Sequence, residues 1–432
     1  MRSRLLLCVF VTLVAATGAN AQGMGSCGQG APSPVWSVAC GAVIDNAQAS
    51  PADRARAMKY RGVLLVRQTQ FELAIRDFSG AIAINPSDAE AFNDRALAYQ
   101  MSRDLDRAVQ DYDKAISLDP KFTLAWFNRG NARSGRGDHA GAIADFTQAI
   151  ALKPDFGPAY RNRGLVKRAA GDMDGAIADQ TSALQYDAND YDALMARAAL
   201  LMGKAELDKA IVDLDAAIKQ RPNQSDGYNN RGAALSQKGE LARASADYDR
   251  ALLISPDSAG TYSNRGNVRF AFGNFGLAAD DLARAAKANP RNPYAALWRY
   301  LAVARTGNTS TAELLNASGA FDAAAWPAPV VAYYLGKTSA DAVRAAADKG
   351  DAQTRRGQQC EAEFYLGEFV LAQAAGKIDP GRIKPDQPDQ NLYALDPEAI
   401  RRAKPMLVRA AEICPAGFTE RMGAVGELKR MQ

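Results

Sequence analysis

Proline recurs through the middle of this chain at an interval of 34 residues, and that interval constrains the fold more than any other feature. Because proline lacks an amide hydrogen and cannot continue a helix, each one is expected just after a helix end. A repeat of this length is typical of stacked helical hairpins, each of which buries its apolar face against its neighbours. The positions are Pro86, Pro120, Pro154, Pro222, Pro256 and Pro290, with Ala188 at the one skipped step.

Small and bulky residues recur in the same register as the prolines. One column holds only glycine or alanine, which lets two helix backbones approach closely, and another holds bulky side chains that fill the space between helices. Two further columns are alanine in every repeat, beginning at Ala74 and Ala81. The small column is Gly62, Ala96, Gly130, Gly164, Ala198, Gly232 and Gly266, and the bulky column is Met58, Phe92, Trp126, Tyr160, Leu194, Tyr228 and Tyr262.

This order of bulky, small, alanine, aromatic, alanine and proline positions resembles the tetratricopeptide repeat. The resemblance covers residues 55–290 in seven copies. It implies an all-α fold, in which antiparallel helix pairs stack into a right-handed superhelical solenoid with a concave inner face. A hairpin of this kind cannot bury its apolar face alone, so end caps are expected as well.

Two charged columns depart from the usual repeat pattern. Each repeat has an arginine in its first helix and an aspartate in its second, level with each other in an antiparallel hairpin. Pairing within a repeat or with the adjoining repeat is therefore expected. A structural ladder and a partner-binding row of arginines both fit this pattern. The ladder arginines are Arg61, Arg95, Arg129, Arg163, Arg197, Arg231 and Arg265, and the ladder aspartates are Asp77, Asp111, Asp145, Asp179, Asp213, Asp247 and Asp281.

Asparagine stands directly before the ladder arginine in four repeats. In two of them a second asparagine lies three residues after the first. In superhelical members of the resembled family, such residues line the concave face and grip the backbone of an extended peptide. An amide suits this role because it offers both a donor and an acceptor to a peptide group. The alternative is that asparagine is merely tolerated at a helix surface. The predicted peptide-binding residues are Asn128, Asn131, Asn162, Asn230, Asn264 and Asn267.

The first 21 residues have the three parts of a secretory signal peptide. Arg2 and Arg4 precede an apolar run, and a small-x-small cleavage site ends at Ala21. The run is too short for a permanent membrane span, and Cys8 and Cys27 do not stand where lipid attachment requires a cysteine. We expect an exported chain with no membrane span or lipid anchor, with signal peptide 1–21 followed by a capping helix region over 22–54.

The cysteines favour disulfides, because four remain after removal of Cys8 and the chain is expected in an oxidising compartment. Four cysteines allow three pairings. Cys27 and Cys40 are close in sequence, which favours a local bridge. Cys360 and Cys414 would then form the second bridge, and two free thiols at these positions are the competing interpretation.

The repeat register fades after Pro290, and residues 291–432 form a C-terminal helical region with an irregular repeat-like hairpin. Its first helix is predicted to begin at Cys360 and its second helix to end at Cys414. Antiparallel helices bring those two ends together, so a bridge would staple the hairpin. The excess length lies in a Pro-, Asp- and Gln-rich loop at 377–396, either a mobile tip or a recognition loop.

Catalytic and nucleic-acid-binding features are poorly represented. The single histidine, His139, is predicted in a turn between repeat helices, and no G-x-S-x-G, H-E-x-x-H, phosphate-loop or dinucleotide motif is present. The cysteines lack metal-site spacing. The net charge of +4 is made of interspersed charges without a basic stripe. We expect no enzyme activity, cofactor, metal or nucleic-acid partner.

The segments AWPAPVVAYYLGK, FYLGEF and CPAGFTERMGAVGELKRM resemble the C-terminal portion of the new-lipoprotein-I (NlpI) family of bacterial envelope proteins. That family consists of repeat-based adaptors that bring a periplasmic protease to cell-wall hydrolases. The resemblance implies a periplasmic adaptor that holds envelope proteins or extended peptides in a concave groove, and self-association is left open. The alternative is a cell-wall glycan binder that stacks sugars on Trp126, Tyr160, Tyr228 and Tyr262.

Overall fold

A computed structural model describes residues 27–28, 34–308, 310–375, 397–415 and 417–432. The predicted signal peptide and the loop at 377–396 therefore lie outside the described residues. The described ranges form 22 helices, here α1–α22, and no strand, which confirms the all-α prediction. The chain divides into two compact units, Met1–Ala193 and Leu194–Gln432.

The first unit consists of α1 followed by four helical hairpins, each with a first and a second helix packed together. The first helices α2, α4, α6 and α8 also contact one another in sequence, and we call the side that they form the first-helix face. The helices are α1 (Pro34–Asp45), α2 (Pro51–Arg67), α3 (Phe71–Ile84), α4 (Ala89–Met101), α5 (Leu105–Leu118), α6 (Thr123–Gly135), α7 (His139–Leu152), α8 (Gly157–Ala169) and α9 (Met173–Tyr186).

The small column explains how closely the two helices of a hairpin approach. A Cβ added to Gly62 would lie 2.6 Å from Cε1 of Phe78, and one added to Gly130 would lie 2.8 Å from Cε1 of Phe146. Both phenylalanine side chains are fully buried. A larger residue in the first helix would therefore force the two helices apart, which close-packed interiors resist.

The turn inside each hairpin needs a left-handed residue. Gly137 and Gly171 supply it with φ of 80° and 88°, whereas Thr69 and Arg103 adopt φ of 60° and 69° without the freedom of glycine. In three of these turns an aspartate then caps the second helix, as Asp138 does when its Oδ1 accepts from the amide of Gly141 at 2.9 Å. Such caps satisfy one of the amides that a helix start leaves unpaired.

A disulfide fastens α1 to the start of the repeats. Cys27 and Cys40 are bonded and buried, as predicted for this pair. Around them Val43, Ala57 and Leu64 form a small apolar cluster. This cluster covers the apolar side of α2 that no preceding repeat can cover.

The second unit begins within α10, the first helix of three more hairpins, and continues into the C-terminal helices. The hairpin helices are α10 (Tyr191–Gly203), α11 (Leu207–Gln220), α12 (Ser225–Lys238), α13 (Leu241–Ile254), α14 (Ala259–Ala271) and α15 (Phe275–Ala288). The remaining helices are α16 (Pro293–Arg305), α17 (Ala312–Ser318), α18 (Ala328–Tyr334), α19 (Ala340–Ala347), α20 (Ala352–Ala375), α21 (Pro397–Ile413) and α22 (Thr419–Arg430).

Helices α20 and α21 form the irregular hairpin, and the Cys360–Cys414 disulfide joins them. A Cβ on Gly367 would lie 3.0 Å from Leu407, the same small-to-bulky contact as in the regular repeats. One detail of the prediction is wrong: α20 begins at Ala352 rather than at Cys360. The carboxylate of Asp351 accepts from the amide of Thr354 at 2.7 Å and so caps the helix two turns earlier.

The last helix, α22, was not anticipated as a separate packing element. It contacts α14 of the last regular repeat as well as α20 and α21. A Cβ on Gly423 would lie 2.7 Å from the ring of Phe364 and 2.9 Å from that of Trp298, both fully buried. Glycine is therefore required where α22 crosses the core of the C-terminal region.

Candidate functional site

All seven ladder arginines bind the ladder aspartate of their own repeat. The guanidinium Nε and Nη2 donate to the two carboxylate oxygens at 2.7–3.0 Å, a bidentate geometry that fixes both side chains. The aspartate side chains are at most 10% exposed. The pairing thus lies between the two helices and not on an open surface.

The same guanidinium also reaches the preceding repeat. Nη1 of Arg129 lies 2.6 Å from Oδ1 of Asp113, and Nη1 of Arg265 lies 2.5 Å from Oδ1 of Asp249. In another repeat, Nη1 of Arg95 donates instead to the hydroxyl of Ser79 at 3.0 Å. The sequence left pairing within or between repeats open, and the structure contains both. The partner column two residues after the ladder aspartate was missed, although its Asp, Ser and Thr residues recur every 34 residues.

The bulky column is covered by the ladder arginines. The Arg129 guanidinium carbon lies 4.7 Å from the ring centroid of Trp126, and the equivalent distances to Tyr160 and Tyr262 are 5.5 and 5.6 Å. Such cation–π contacts occupy one face of each ring. A sugar that stacks on these rings would have to displace an arginine or use the opposite face.

The predicted asparagines form hydrogen-bonded pairs between consecutive first helices. Nδ2 of Asn128 donates to Oδ1 of Asn93 at 3.1 Å, and Nδ2 of Asn162 donates to Oδ1 of Asn131 at 2.8 Å. In the second unit, Nδ2 of Asn264 donates to Oδ1 of Asn229 at 3.1 Å. Each pair thereby orients the donor amide on the side formed by the first helices of its own unit, and in the second unit we call the side formed by α12 and α14 the first-helix face as well.

The six asparagines differ in accessibility. Asn128, Asn131 and Asn267 are only 5–7% exposed, and Oδ1 of Asn267 is buried without a hydrogen-bond partner among the described residues. Asn162, Asn230 and Asn264 are half-buried and remain reachable from solvent. The accessible part of the predicted site is therefore smaller than the asparagine column.

The acid at the same position of the second repeat has an altered pKa. Burial raises the pKa of Asp94 to about 6, against the opposing effects of the Lys59 charge and of the hydrogen bond from Asn93. The first-helix face of the first unit thus carries one acid that titrates in a mildly acidic range.

A second polar cluster, missed from the sequence, joins α20 and α22. Glu361 and Glu368 are seven residues apart on α20, and Glu420 and Glu427 are seven apart on α22, so two carboxylate layers form between these helices. All four side chains are buried. The seven-residue spacing is visible in the sequence, but acids at core positions are rare, so the spacing alone does not predict their burial.

The first layer is held by aromatic donors. Nε1 of Trp326 donates to Glu361 at 2.7 Å, and the hydroxyl of Tyr294 donates to the same oxygen at 3.0 Å. The hydroxyl of Tyr365 donates to Glu420 at 3.1 Å. Burial and the nearby Glu420 carboxylate raise the pKa of Glu361 to about 8, despite these donors. Burial also raises the pKa of Glu420.

The second layer contains cations. Nη1 of Arg305 lies 2.7 Å from Glu427 and 3.2 Å from Glu368, and Arg430 also pairs with Glu427. Burial and the Glu427 charge raise the pKa of Glu368 to about 8. The pKa of Glu427 is lowered because, although burial opposes ionisation, its two arginine partners outweigh that effect. The pKa values of these two acids are thus shifted in opposite directions.

Other chemical roles find little support in the described residues. No group of His, Cys, Asp and Glu there could hold a metal ion, and no helix there is long and apolar enough to cross a membrane. His139 is the first residue of α7, with its Nδ1 buried and without a hydrogen-bond partner among the described residues.

Three segments of the chain match models of the tetratricopeptide repeat, at residues 89–122, 123–156 and 225–258. They coincide with the hairpins α4/α5, α6/α7 and α12/α13. The chain is therefore built on tetratricopeptide repeats, a class of stacked hairpins that serves as a scaffold for protein–protein interaction.

Several solved structures are similar to parts of the chain. YrrB, described as a TPR protein with an unusual peptide-binding site, is 26% identical over 43% of this chain and 95% of its own, with a TM-score of 0.39. PilF of Pseudomonas aeruginosa is 20% identical over 49% of this chain and 97% of its own, with a TM-score of 0.44. A tetratricopeptide repeat protein from Parabacteroides merdae is 19% identical over 58% and 98%, with a TM-score of 0.44. No curated protein matches the sequence.

Proposed function

We propose that this protein is a non-catalytic scaffold that holds partner proteins or extended peptides along the first-helix face of its repeats. The observation that carries the proposal is the orientation of the half-buried amides. Asn162 and Asn264 each use one amide hydrogen to bind the preceding repeat. Each keeps its amide oxygen and a second hydrogen for a ligand. Within each amide the donor and the acceptor lie side by side, which matches the N–H and C=O groups along the backbone of an extended peptide.

The ladder fits the same function in a supporting role. Because its carboxylates are buried and bidentate with arginine, the ladder arginines are committed to the fold rather than to a partner. Their bonds to the preceding repeat hold consecutive first helices at a constant spacing. A partner that spans several repeats would meet a prearranged surface, which lowers the entropy lost on binding.

We place this scaffold in the bacterial periplasm. The signal-like N-terminus supports export, and the Cys27–Cys40 and Cys360–Cys414 disulfides are consistent with an oxidising compartment. The resemblance of the C-terminal segments to the NlpI family supports an adaptor role that links proteases or cell-wall enzymes.

Cross-linking in cells tests the proposal. The variant Asn162→Ala/Asn264→Ala removes the two oriented amides, and we expect it to lose the envelope proteins that the unaltered chain captures. The matched control is Gln110→Ala/Gln185→Ala, which removes two exposed amides from the second helices α5 and α9. Circular dichroism verifies that both variants are folded at the assay temperature. Equal capture by the two variants would mean that partners bind a surface other than the first-helix face.

A parallel assay addresses the glycan alternative. Sedimentation with purified cell-wall sacculi should leave the protein in the supernatant, because arginines cover one face of the Trp126, Tyr160 and Tyr262 rings. Co-sedimentation that is lost on Trp126→Ala would favour glycan binding.

A further inference from the structure

The second unit contains a groove between its regular repeats and its last helix. One side is formed by α12, α14 and the start of α13, and the other side is α22 with the preceding residues Gly417 and Phe418. The groove encloses about 1010 Å³, and Asn264, a predicted peptide-binding residue, lies in its wall. The C-terminal helix thus converts part of the first-helix face into a two-sided groove.

The wall made by α22 is rigidly placed. A Cβ on Gly426 would lie 2.7 Å from the carbonyl oxygen of Ala271 at the end of α14, so the two helices touch at this point. Nη1 of Arg430 donates to the same carbonyl at 2.5 Å. On the opposite side of α22, Glu420 and Glu427 are held by the buried polar layers described above. A ligand would therefore meet a preformed groove.

The groove combines apolar surface with positive charge. Phe272 on one side and Val425 on the other are 39% and 36% exposed. Met422 and Leu241 extend this apolar surface. Exposed apolar surface enclosed by polar residues marks binding sites for proteins or ligands. The cations that line the groove are Lys238, Arg243, Arg421, Lys429 and Arg430, against the single acid Glu240.

Two of these cations are available to a ligand. Lys238 and Arg243 are paired with Glu240, and Arg430 is paired with Glu427. Arg421 donates only to the carbonyl oxygen of Ala411, at 3.3 Å, and neither it nor Lys429 has a carboxylate partner in the described part of the chain.

The spacing of Arg421 and Lys429 sets the spacing of the ligand charges. They lie eight residues apart on α22, about 12 Å at 1.5 Å per residue. In an extended peptide, two acidic residues four positions apart span about 13 Å. Because successive side chains of an extended peptide alternate in direction, the residue midway between those acids would meet Val425, and the residues on either side of it would face Phe272 and Leu241 on the opposite wall.

We infer that this groove binds an extended segment of a partner protein in which two acidic residues, four positions apart, flank apolar residues. The inference rests on the proposed scaffold function and specifies the chemistry of one class of partner segment. Binding depends on both parts of the surface: the apolar contacts supply affinity, and the two cations select acidic sequences and set their register.

Fluorescence anisotropy with a labelled heptapeptide, Gly-Glu-Leu-Val-Leu-Glu-Gly, tests the inference. We expect it to bind the full-length protein, to bind more weakly as salt screens the charges, and to bind about 10-fold more weakly to Arg421→Glu/Lys429→Glu. The control is Lys337→Glu/Lys349→Glu, which makes the same change in net charge at two exposed lysines outside the groove. Because Lys429 is exposed, Lys429→Glu alone provides a second variant whose folding is not at risk.

Three outcomes would overturn the inference: no binding of the heptapeptide, equal binding of a version with lysines in place of glutamates, or equal losses in the groove and control variants. Cross-linking in cells separates these results from the scaffold function. If the unaltered chain captures envelope proteins but ignores the heptapeptide, the groove assignment fails and the scaffold stands. If it binds the heptapeptide but captures no protein, the groove assignment stands and the scaffold fails.

Discussion

Asp145 accepts hydrogen bonds from Nε and Nη2 of Arg129, at 3.0 and 2.7 Å, while its side chain is only 1% exposed. Arg133 binds the same carboxylate at 3.0 Å, so two guanidinium groups surround one buried acid. Similar contacts recur through the repeats, and we attribute the constant geometry of the hairpins to them.

The ladder should contribute much more to stability than the exposed acids of the turns. Asp145→Ala removes the buried carboxylate that Arg129 and Arg133 share and leaves Arg129 only the half-exposed Asp113, and breaking such a buried pair costs about 3–5 kcal/mol. Asp138→Ala removes only a half-exposed helix cap, worth about 1 kcal/mol. Urea unfolding of the two variants should show the larger loss for Asp145→Ala. Equal losses would mean that the ladder does not stabilise the repeats.

Glycine at a left-handed turn position should stabilise the first unit. Arg103 adopts φ of 69° where other repeats have glycine. Arg103→Gly should raise the free energy of unfolding by about 0.5–1 kcal/mol, because the strain relieved exceeds the added freedom of the unfolded chain. The reverse change, Gly137→Ala, should lower it, since a Cβ there meets no neighbour but φ is 80°. A loss of stability in Arg103→Gly would refute this account of the turn.

The buried carboxylate layers should make the C-terminal region less stable as the pH rises. Glu361 and Glu368 have pKa values raised from 4.5 to about 8 in the folded chain, so the folded state holds protons that the unfolded state has released. Their stabilising contribution is complete below pH 4.5 and is lost as the pH rises towards 8. Each group changes the free energy of unfolding by at most about 1.4 kcal/mol per pH unit.

The variant Glu361→Gln/Glu368→Gln provides the comparison, because glutamine mimics the protonated acid. Urea unfolding between pH 5.5 and 8.5 should show a falling stability for the unaltered chain and a flatter profile for the variant. Parallel profiles would show that the two acids are ionised in the folded chain.

The Cys360–Cys414 disulfide should stabilise the irregular hairpin despite its long loop. The two cysteines are 54 residues apart, and closing a loop of that length restricts the unfolded chain by about 4 kcal/mol. Cys360→Ala/Cys414→Ala should therefore lower the melting temperature in the absence of reductant. Cys27→Ala/Cys40→Ala, which opens a span of only 13 residues, should have a smaller effect. The opposite order would contradict the loop-length argument.

The regular part of this fold could be predicted from the sequence because the same contacts are made in every repeat. The small column, the ladder and the prolines each recur seven or nearly seven times, so one physical reason explains many positions. The structure adds the contacts between neighbouring repeats, which the recurrence of a residue type does not specify. Arg129 also binds Asp113 of the preceding repeat, and the Asn128 amide pairs with Asn93.

The C-terminal region was harder to predict because its contacts occur once. The packing of α22 on α14 depends on Gly426 at a single close approach, and no periodic signal identifies it. Glu361 and Glu420 are far apart in sequence and belong to one cluster only through the tertiary fold. Sequence analysis could therefore locate the irregular hairpin but could not find the groove beside it.

Site-specific photo-cross-linking in cells tests the central claim most directly. A photoreactive residue is placed at Asn162 on the first-helix face, or at Leu253, which is 74% exposed on the second helix α13. If the first-helix face holds partner proteins, position 162 should give discrete adducts with envelope proteins and position 253 should give none. Adducts from position 253 alone, or the same adducts from both positions, would contradict the account.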